Sequence, residues 1–328
     1  MKYDILTIGG LMRDIFFLTN EGVVVDHDDP LCRKLIGFEL GAKVYVNNVY
    51  FEPGGGASNT AVGFSKLGLK SAIIARIGQD REGDQLIKSL KKNKVGTKWI
   101  QVDKKESTGM AFVLALKNRK RTHVIMAHRG VNDKLDFNYN LSEFKGIPYI
   151  YVSSISAPKW PEIMDKVCFL VKGGAKLAWN PSNVQLKAGA KKLSKCLENT
   201  YILSINEDEA RELVLSKNKV NGFRLKFLLK EIFEMGPKII VITMGPKGAV
   251  AYDGKKFYHQ KTAPSKVVHT TGAGDSFTAA FVASLIHKPS DIQRALKWGM
   301  INSASVINYV GAQKGLLTQK EILKRYDF

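Results

Sequence analysis

The run of residue types best suited to chemistry in this 328-residue chain is Thr-Thr-Gly-Ala-Gly-Asp at residues 270–275, followed by an apolar stretch at 276–285. Two glycines around an alanine allow a tight turn in which successive backbone N–H groups converge on one point. The apolar stretch predicts a helix, whose N-terminus carries partial positive charge and unsatisfied donors. Together they predict a binding site for phosphate.

Asp275 ends this run, and its negative charge would oppose a phosphate ligand. Phosphate binding alone therefore does not explain it. A carboxylate at this place can remove the proton from a hydroxyl group as that hydroxyl attacks phosphorus. We therefore predict phosphoryl transfer to a hydroxyl acceptor, with Asp275 as the general base.

A second glycine cluster, Pro-Gly-Gly-Gly-Ala-Ser-Asn at residues 53–59, opens a predicted helix. It lacks the Gly-Lys-Ser/Thr of a Walker loop and the glycine spacing of a dinucleotide-binding turn. Its glycines allow a ligand to approach the backbone, and Asn59 can hydrogen-bond to sugar hydroxyls. An ordinary glycine turn into a helix is the alternative interpretation.

Two further acidic positions follow predicted strands. Asp14 comes after the first strand, at the carboxyl end where open α/β sheets bind ligands, and it can accept hydroxyl hydrogen bonds or serve as a cap. Asn206 and Glu209 have the spacing of a helix capping box. The same acidic turn is also a candidate for holding Mg²⁺ through water beside nucleotide phosphates.

Composition narrows the class of protein. The chain is 45% hydrophobic and 24% charged, which is typical of a globular protein. Its formal net charge is +20, but the lysines are scattered, so a solvated surface is favoured over a nucleic-acid face. We find no secretory signal, membrane-spanning run or metal-ligand spacing of the three cysteines and six histidines, and we expect a cytoplasmic protein with reduced thiols.

The elements that must position these residues alternate between strand and helix. Strand-like apolar segments occur at residues 3–9, 71–77, 149–153, 176–180, 201–205 and 238–244. Helical patterns occur at residues 57–67, 83–93, 161–172 and 223–233, and a long one at 292–308. This order predicts an α/β fold of three layers, a mostly parallel sheet with helices on both faces.

Two segments interrupt that alternation and predict a small β-sheet lid. Residues 15–50 contain strand-like runs at 23–25 and 43–46, and residues 108–127 have the pattern of a hairpin with a polar turn at 117–120. We therefore divide the chain into a core of residues 1–14, 51–107 and 128–328 and a lid of residues 15–50 and 108–127. Such a lid would exclude water from the acceptor site.

In the types and order of its motifs the chain resembles the ribokinase-like (PfkB) carbohydrate kinase family along essentially its whole length. Residues 54–61 through Leu67-Gly68 are similar to the family's N-terminal signature, and residues 270–277 to its C-terminal signature. Asn206 with Glu209 resembles its Asn-x-x-Glu motif. Further similar motifs lie at residues 243–248, 108–109, 130–132 and 311–313.

The resemblance implies an ATP- and Mg²⁺-dependent kinase. Asp275 would be the general base, and the amides of Gly272, Ala273 and Gly274 would neutralise charge on the transferred phosphoryl group. The residues implied to bind the nucleotide and its Mg²⁺ are Asn206, Glu209, Thr243, Gly245 and Gly248, with Glu209 acting on the metal through water. The residues implied to hold the acceptor are Asp14, Gly55 and Asn59.

One departure concerns His269, since the family commonly has Asp at this position, where it helps to bind a monovalent cation in some members. An imidazole is a poor ligand for K⁺, so potassium activation is not expected.

The acceptor remains open at this stage. A small sugar is favoured, and a nucleoside is the alternative, for which Phe16, Tyr45, Tyr50 and Phe112 could form a slot for the base. A non-catalytic binding or regulatory protein of the same fold is a third reading. Exposed lid edges also suggest a homodimer formed through the lid.

Overall fold

The computed structural model describes residues 2–26, 34–116, 123–217 and 224–326. Within these ranges, seven neighbouring strands form a parallel sheet, and a hairpin is added antiparallel at one edge. From that edge the strands are β15 Phe257–Gln260, β14 Ala249–Tyr252, β13 Ile239–Thr243, β12 Thr200–Asn206, β11 Lys176–Trp179, β10 Tyr149–Val152, β1 Ile5–Ile8, β6 Ser71–Gly78 and β7 Gly96–Asp103. The predicted parallel sheet is thereby confirmed.

Helices cover both faces of this sheet, and its apolar strands are therefore buried on both sides. One face packs against α3 Trp160–Lys172, α5 Ala190–Glu198, α6 Glu207–Leu215 and α7 Leu225–Glu234. The other face packs against α1 Gly56–Lys66, α2 Arg81–Lys92, α8 Ala273–His287 and α9 Ile292–Val306. Two short helices, α4 Asn183–Leu186 and α10 Gln319–Lys324, complete the set in the described ranges, and none of these helices is long and apolar enough to cross a membrane.

A separate four-stranded sheet stands beside the core. Its strand order is β5 Asn48–Gly54, β2 Met12–Thr19, β8 Gly109–Leu116 and β9 His123–His128. A small hairpin, β3 Val23–Asp26 with β4 Lys34–Gly37, adjoins it in sequence. We call the four-stranded sheet the lid sheet. Strand β2 of this sheet begins at Met12, before the predicted lid boundary at residue 15, so Asp14 belongs to a lid strand.

Two details of the predicted lid differ or fall outside the described residues. Residues 43–46, predicted as a strand, form none and pair with no strand in the described ranges. The Thr19 hydroxyl donates to the Tyr45 carbonyl at 2.7 Å, and the Tyr45 amide donates to the Glu21 carboxylate at 3.2 Å. The predicted polar turn at residues 117–120 and Cys32 lie outside the described residues.

Helix α8 is the structural centre of the face that carries the predicted site. It is buried on nearly all sides after its first turn, which agrees with its continuous apolar sequence. Gly63 of α1 allows the two helices to approach closely, since a Cβ added there would lie 2.8 Å from the Ala279 Cβ. This contact brings the N-terminus of α1, formed by the glycine cluster at residues 53–59, beside the N-terminus of α8.

Candidate active site

The side chains at the two helix N-termini are joined directly. Asn59 Nδ2 donates a hydrogen bond of 2.8 Å to Asp275 Oδ2, although the residues are 216 positions apart in sequence. The other side of Asp275 faces the start of α1, where a Cβ on Gly56 would lie 3.4 Å from Asp275 Oδ1. The predicted base and one predicted acceptor-binding residue therefore belong to one constellation.

Gln313 fixes the orientation of the Asn59 amide. Its Nε2 donates to Asn59 Oδ1 at 3.0 Å and to the Ser58 hydroxyl at 2.9 Å. Since Asn59 Oδ1 is thus an acceptor, its Nδ2 must face Asp275. Gln313 lies in one of the motifs noted in the sequence, but no role was predicted for it, because the contact joins residues more than 250 positions apart.

Asp14 lies on the face of the lid sheet that faces the core. We predicted it at the end of the first strand, whereas it lies inside β2 and is buried. Its carboxyl group lies over Gly54, where an added Cβ would come within 2.3 Å of it. The absence of a side chain at Gly54 therefore leaves the space that the Asp14 carboxyl group occupies.

Gly55 needs its backbone freedom at the same place. Its φ is 91°, and a Cβ there would lie 2.4 Å from the Gly10 carbonyl oxygen. The amide of Ser58 donates to that carbonyl at 3.3 Å, so the two glycine turns pack against each other.

The carboxyl groups in this region are held in a poorly hydrated environment. Burial raises the pKa of Asp14 from 3.8 to about 7, with further upward contributions from the charges of Asp275 and Glu52 and an opposing one from Arg13. Burial also raises the pKa of Asp275, and the hydrogen bond from Asn59 opposes that shift. A carboxylate with a raised pKa is a stronger base, which suits proton removal from a hydroxyl.

The turn before α8 is held from both sides. The amide of Thr271 donates to His269 Nδ1 at 3.2 Å. Gly272 is the N-cap, with a left-handed φ of 78°, and a Cβ there would lie 2.4 Å from the Ala312 Cβ. The Ala273 amide already donates to the Thr270 carbonyl at 3.2 Å, whereas Gly274 is exposed with no atom within 4 Å of an added Cβ.

A cavity of about 590 Å³ connects this turn to the predicted nucleotide side. The predicted site residues in its wall are Thr243, Gly245, Gly248, Ala273 and Gly274. Gly248 has a φ of 96°, and a Cβ there would lie 2.0 Å from the Gln260 carbonyl oxygen, so the turn after β13 tolerates no side chain at this position. The other predicted site residues are not part of this wall: Asp14, Gly55, Asn59, Asn206, Glu209, Gly272 and Asp275.

Comparison with known proteins identifies the family. The model of the pfkB family of carbohydrate kinases matches residues 23–319. This chain belongs to the pfkB carbohydrate kinase family. It is 26% identical over 339 residues to an ATP-dependent 6-phosphofructokinase of Thermoanaerobacterium thermosaccharolyticum, covering 99% of this chain and 94% of that protein.

Solved structures share the fold of this pfkB-family kinase. A ribokinase of Arabidopsis thaliana, in complex with ribose and ATP, aligns with a TM-score of 0.80 and 21% identity over 100% of both chains. A nucleoside kinase of Methanocaldococcus jannaschii aligns with a TM-score of 0.77 and 22% identity over 99% of both chains. The predicted family and three-layer fold are confirmed, and the chain is a kinase of the pfkB carbohydrate kinase family.

Asn206 and Glu209 of the kinase form the predicted capping box. Asn206 Oδ1 accepts from the Glu209 amide at 2.9 Å, and Glu209 Oε2 accepts from the Asn206 amide at 2.8 Å. Burial raises the pKa of Glu209, and the Asn206 amide opposes that shift. The carboxylate and amide oxygens are of the type that Mg²⁺ prefers, but the described residues contain no cluster of three acidic, histidine or cysteine side chains able to hold a metal. The oxygens of Asn206 and Glu209 are therefore of a type that fits contact with the ion through water.

The structure adds one polar group that sequence reasoning missed. Tyr151 of β10 is fully buried, and its hydroxyl has no hydrogen-bond partner among the described residues. Burial raises the pKa of Tyr151, and the charges of Asp275 and Glu209 add to this. Within an apolar strand a tyrosine has the pattern of a core residue, so no sequence signal distinguished it.

Two of the four aromatic residues considered for a nucleoside slot are used elsewhere. Phe16 is fully buried and packs edge-on against His269, and Phe112 stacks on Phe17 on the opposite face of the lid sheet from Asp14. Tyr45 is 74% exposed, outside any strand, and Tyr50 is partly buried in β5. The apolar sequence pattern did not reveal which face of the lid each ring occupies.

Proposed function

We propose that this kinase transfers the γ-phosphoryl group of ATP to a hydroxyl of a small sugar, with Asp275 as the general base. The observation that carries the proposal is the position of Asp275. It lies at the N-terminus of α8, bonded to Asn59 on one side and next in sequence to Gly274, a wall residue of the 590 Å³ cavity, on the other.

In the proposed mechanism the acceptor lies between Asp14 and Asn59. Asp275 takes the proton of the attacking hydroxyl, and the Asn59 amide holds the carboxylate in place through its 2.8 Å bond. Positioning of the two reactants then supplies much of the rate.

The N-terminus of α8 supplies the electrostatic part of the mechanism. Amides of Gly272, Ala273 and Gly274 and the helix dipole would stabilise charge on the phosphoryl group in transfer. In this arrangement the Ala273 amide must exchange its 3.2 Å bond to Thr270 for the phosphate. Mg²⁺, when bound with the nucleotide, would neutralise phosphate charge, with Asn206 and Glu209 contacting it through water.

The nucleotide would occupy the cavity lined by Thr243, Gly245 and Gly248. Its glycine turn lets the ligand approach the backbone, and its size is in the range of small-molecule sites. The ATP bound to the Arabidopsis ribokinase of similar fold supports this assignment. An enzyme that depends on ATP is expected in the cytoplasm.

A nucleoside acceptor is the second candidate, because the Methanocaldococcus jannaschii protein of the same fold is a nucleoside kinase. A base needs an apolar or aromatic slot, and Phe16 and Phe112 are already engaged by other rings. This favours a sugar.

The decisive experiment measures ADP formation from Mg-ATP with separate pools of sugars and nucleosides. We expect turnover with a sugar pool and a loss of about 10²–10⁴-fold in Asp275→Asn, the usual contribution of a general base. Asp165→Asn, an exposed aspartate of α3, is the matched control and should keep full activity. Turnover with nucleosides alone would replace the acceptor, and an active Asp275→Asn would refute the assigned base.

We also propose a homodimer through the outer face of the lid sheet, the face opposite Asp14. This face carries four exposed apolar side chains on its two edge strands, Val49, Phe51, Val124 and Met126. Exposed apolar edge strands favour pairing with a second chain.

A further inference from the structure

Three rings form a contact between the lid and the core. His269, which precedes the turn at the start of α8, lies 4.9 Å from the ring of Phe16 at an interplanar angle of 86°. It lies 5.0 Å from the ring of His123 at an angle of 42°. Phe16 belongs to β2 and His123 to β9, two strands of the lid sheet. We call these three side chains the ring cluster.

His269 also holds the turn that follows it. Its Nδ1 accepts the Thr271 N–H at 3.2 Å, so the neutral ring carries its proton on Nε2. That Nε2 is buried without a hydrogen-bond partner among the described residues, and the residue is only 5% exposed. Burial lowers the pKa of His269 to about 4, with a further contribution from His123. The ring is therefore neutral near pH 7 and remains an acceptor.

The same residues connect the two halves of the candidate site. Asp14 and Phe16 lie on one face of β2, two residues apart, so a movement of this strand moves both. Phe16 touches His269, and His269 bonds to Thr271, the neighbour of Gly272. On its other side Gly272 packs against Ala312, whose Cβ would lie 2.4 Å from a Cβ added at residue 272.

We propose that His269 is a positioning residue that couples the position of the lid sheet to the geometry of the turn at residues 270–274. One part of the side chain, the ring, contacts Phe16 and His123 of the lid. Another part, Nδ1, holds the backbone of the turn. The consequence for catalysis rests on the proposed function, whereas the coupling itself does not.

Two substitutions separate these parts. His269→Asn places an amide oxygen near the position of Nδ1 and removes the ring, so it keeps the bond to Thr271 and loses the lid contact. His269→Phe keeps a ring and removes the acceptor. Phe16→Leu alters the contact from the lid side. If the Phe16→Leu variant fails to fold, His123→Ala serves as the lid-side variant instead, since His123 is only partly buried. His259→Asn, on an exposed residue of β15, is the matched control.

Hydrogen exchange of the free protein tests the coupling without any acceptor. In His269→Phe we expect amides of residues 270–276 to exchange about 10-fold faster, since the Thr271 N–H loses its acceptor. Phe16→Leu should speed exchange of the same turn by about threefold or more, although it lies in the lid. His259→Asn should change neither. Unchanged exchange of the turn in both His269→Phe and Phe16→Leu would overturn the proposal.

A double-mutant cycle distinguishes coupling from general destabilisation. In the His269→Asn background the ring that links the lid to the turn is absent, so adding Phe16→Leu should leave exchange of the turn within about twofold of the single variant. An additive effect of the two substitutions on the turn would show that His269 does not mediate it, and would also overturn the proposal.

Kinetics with the acceptor found in the pools supply the second readout. His269→Phe should lower kcat by about 10-fold or more while the acceptor KM stays within about twofold, because the turn contacts the transferred group. His269→Asn should raise the acceptor KM by about fivefold with kcat nearly unchanged, because closing the lid costs more. Equal losses of kcat in both variants contradict the division of roles. If no pool is turned over, the proposed function fails, and the exchange experiment still decides the coupling.

Discussion

At the scale of single residues, the proposed site contains two carboxyl groups, of which Asp14 is buried and Asp275 is partly buried. Asp14 and Asp275 interact electrostatically, and burial raises the pKa of each. Such groups lower the stability of the folded protein when they are ionised, a cost that is usual at functional sites.

The pH dependence of stability gives a test for Asp14. Its pKa is about 7 in the folded protein and 3.8 as its ordinary value, so the folded state binds the proton more tightly. The loss of folding stability caused by ionised Asp14 is therefore absent below about pH 4. It grows as the pH rises and is complete above about pH 7. We expect Asp14→Asn to raise the free energy of unfolding more at pH 8 than at pH 4. The difference between the two effects should be at most about 4 kcal/mol. Urea unfolding at both pH values measures this, and an equal effect at both would contradict the buried carboxyl.

His269 gives a prediction about monovalent cations. Its Nδ1 is occupied by the Thr271 amide, and an imidazole is a poor ligand for K⁺. We expect the initial rate of ADP formation to stay within about twofold when potassium is replaced by tetramethylammonium at constant ionic strength. A loss of activity that returns with potassium alone would show that other atoms bind the cation.

At the scale of elements, the proposed chemistry lies where two helices begin. Close packing at Gly63 sets α1 beside α8, and the loop that carries Ala312 and Gln313 fixes both N-termini. In the proposed function the helix ends supply donors for an anion, and the neighbouring strand β2 carries Asp14, which would bind the acceptor.

Two glycines of this turn should respond differently to the same substitution. Gly272→Ala forces a side chain into a left-handed conformation and against Ala312, so we expect a loss of about 2–4 kcal/mol in the free energy of unfolding. Gly274→Ala meets no atom within 4 Å and should leave stability unchanged or raise it by up to about 1 kcal/mol.

The same pair differs in function. The methyl group of Gly274→Ala would lie at the wall of the cavity where the phosphate is proposed to bind, so the KM for ATP should rise by about 10-fold in a stable protein. Thermal unfolding and ATP titration of both variants measure this. A Gly274→Ala enzyme with unchanged ATP kinetics would remove Gly274 from the proposed anion site.

At the scale of the whole molecule, the lid sheet presents an apolar face with no covering element in the described chain. Phe51, on edge strand β5, is 61% exposed, and Met126, on edge strand β9, is 55% exposed. Such a face favours association with a second copy in a symmetric dimer.

Sedimentation analysis tests this dimer. We expect the wild-type protein to sediment as a dimer at about 10 µM, and Phe51→Lys to weaken the dimer by about 10-fold or more, because it places a charge in an apolar interface. Phe169→Lys is the matched control, since Phe169 is 63% exposed but lies on α3 of the core. A wild-type protein that is monomeric at all concentrations would exclude the dimer.

Much of the fold followed from local patterns. The strand at residues 71–77 and the helix at 161–172 were predicted within a few residues of β6 and α3, since hydrophobic periodicity and buried β-branched runs are local properties. The capping box of Asn206 and Glu209 was confirmed for the same reason. The strand expected at residues 43–46 was wrong, because its alternating pattern found no neighbouring strand to pair with.

The sequence by itself determined the kind of chemistry, through the glycines and aspartate that begin α8 and through motifs that residue type and order alone define. Only the tertiary structure decided which distant residues lie together at the proposed site. Asn59 meets Asp275, Gln313 orients Asn59, and His269 touches the lid, all across long separations in the chain. Periodicity and turn chemistry report on neighbours a few residues apart, whereas these contacts depend on how the sheet, α1, α8 and the lid pack together.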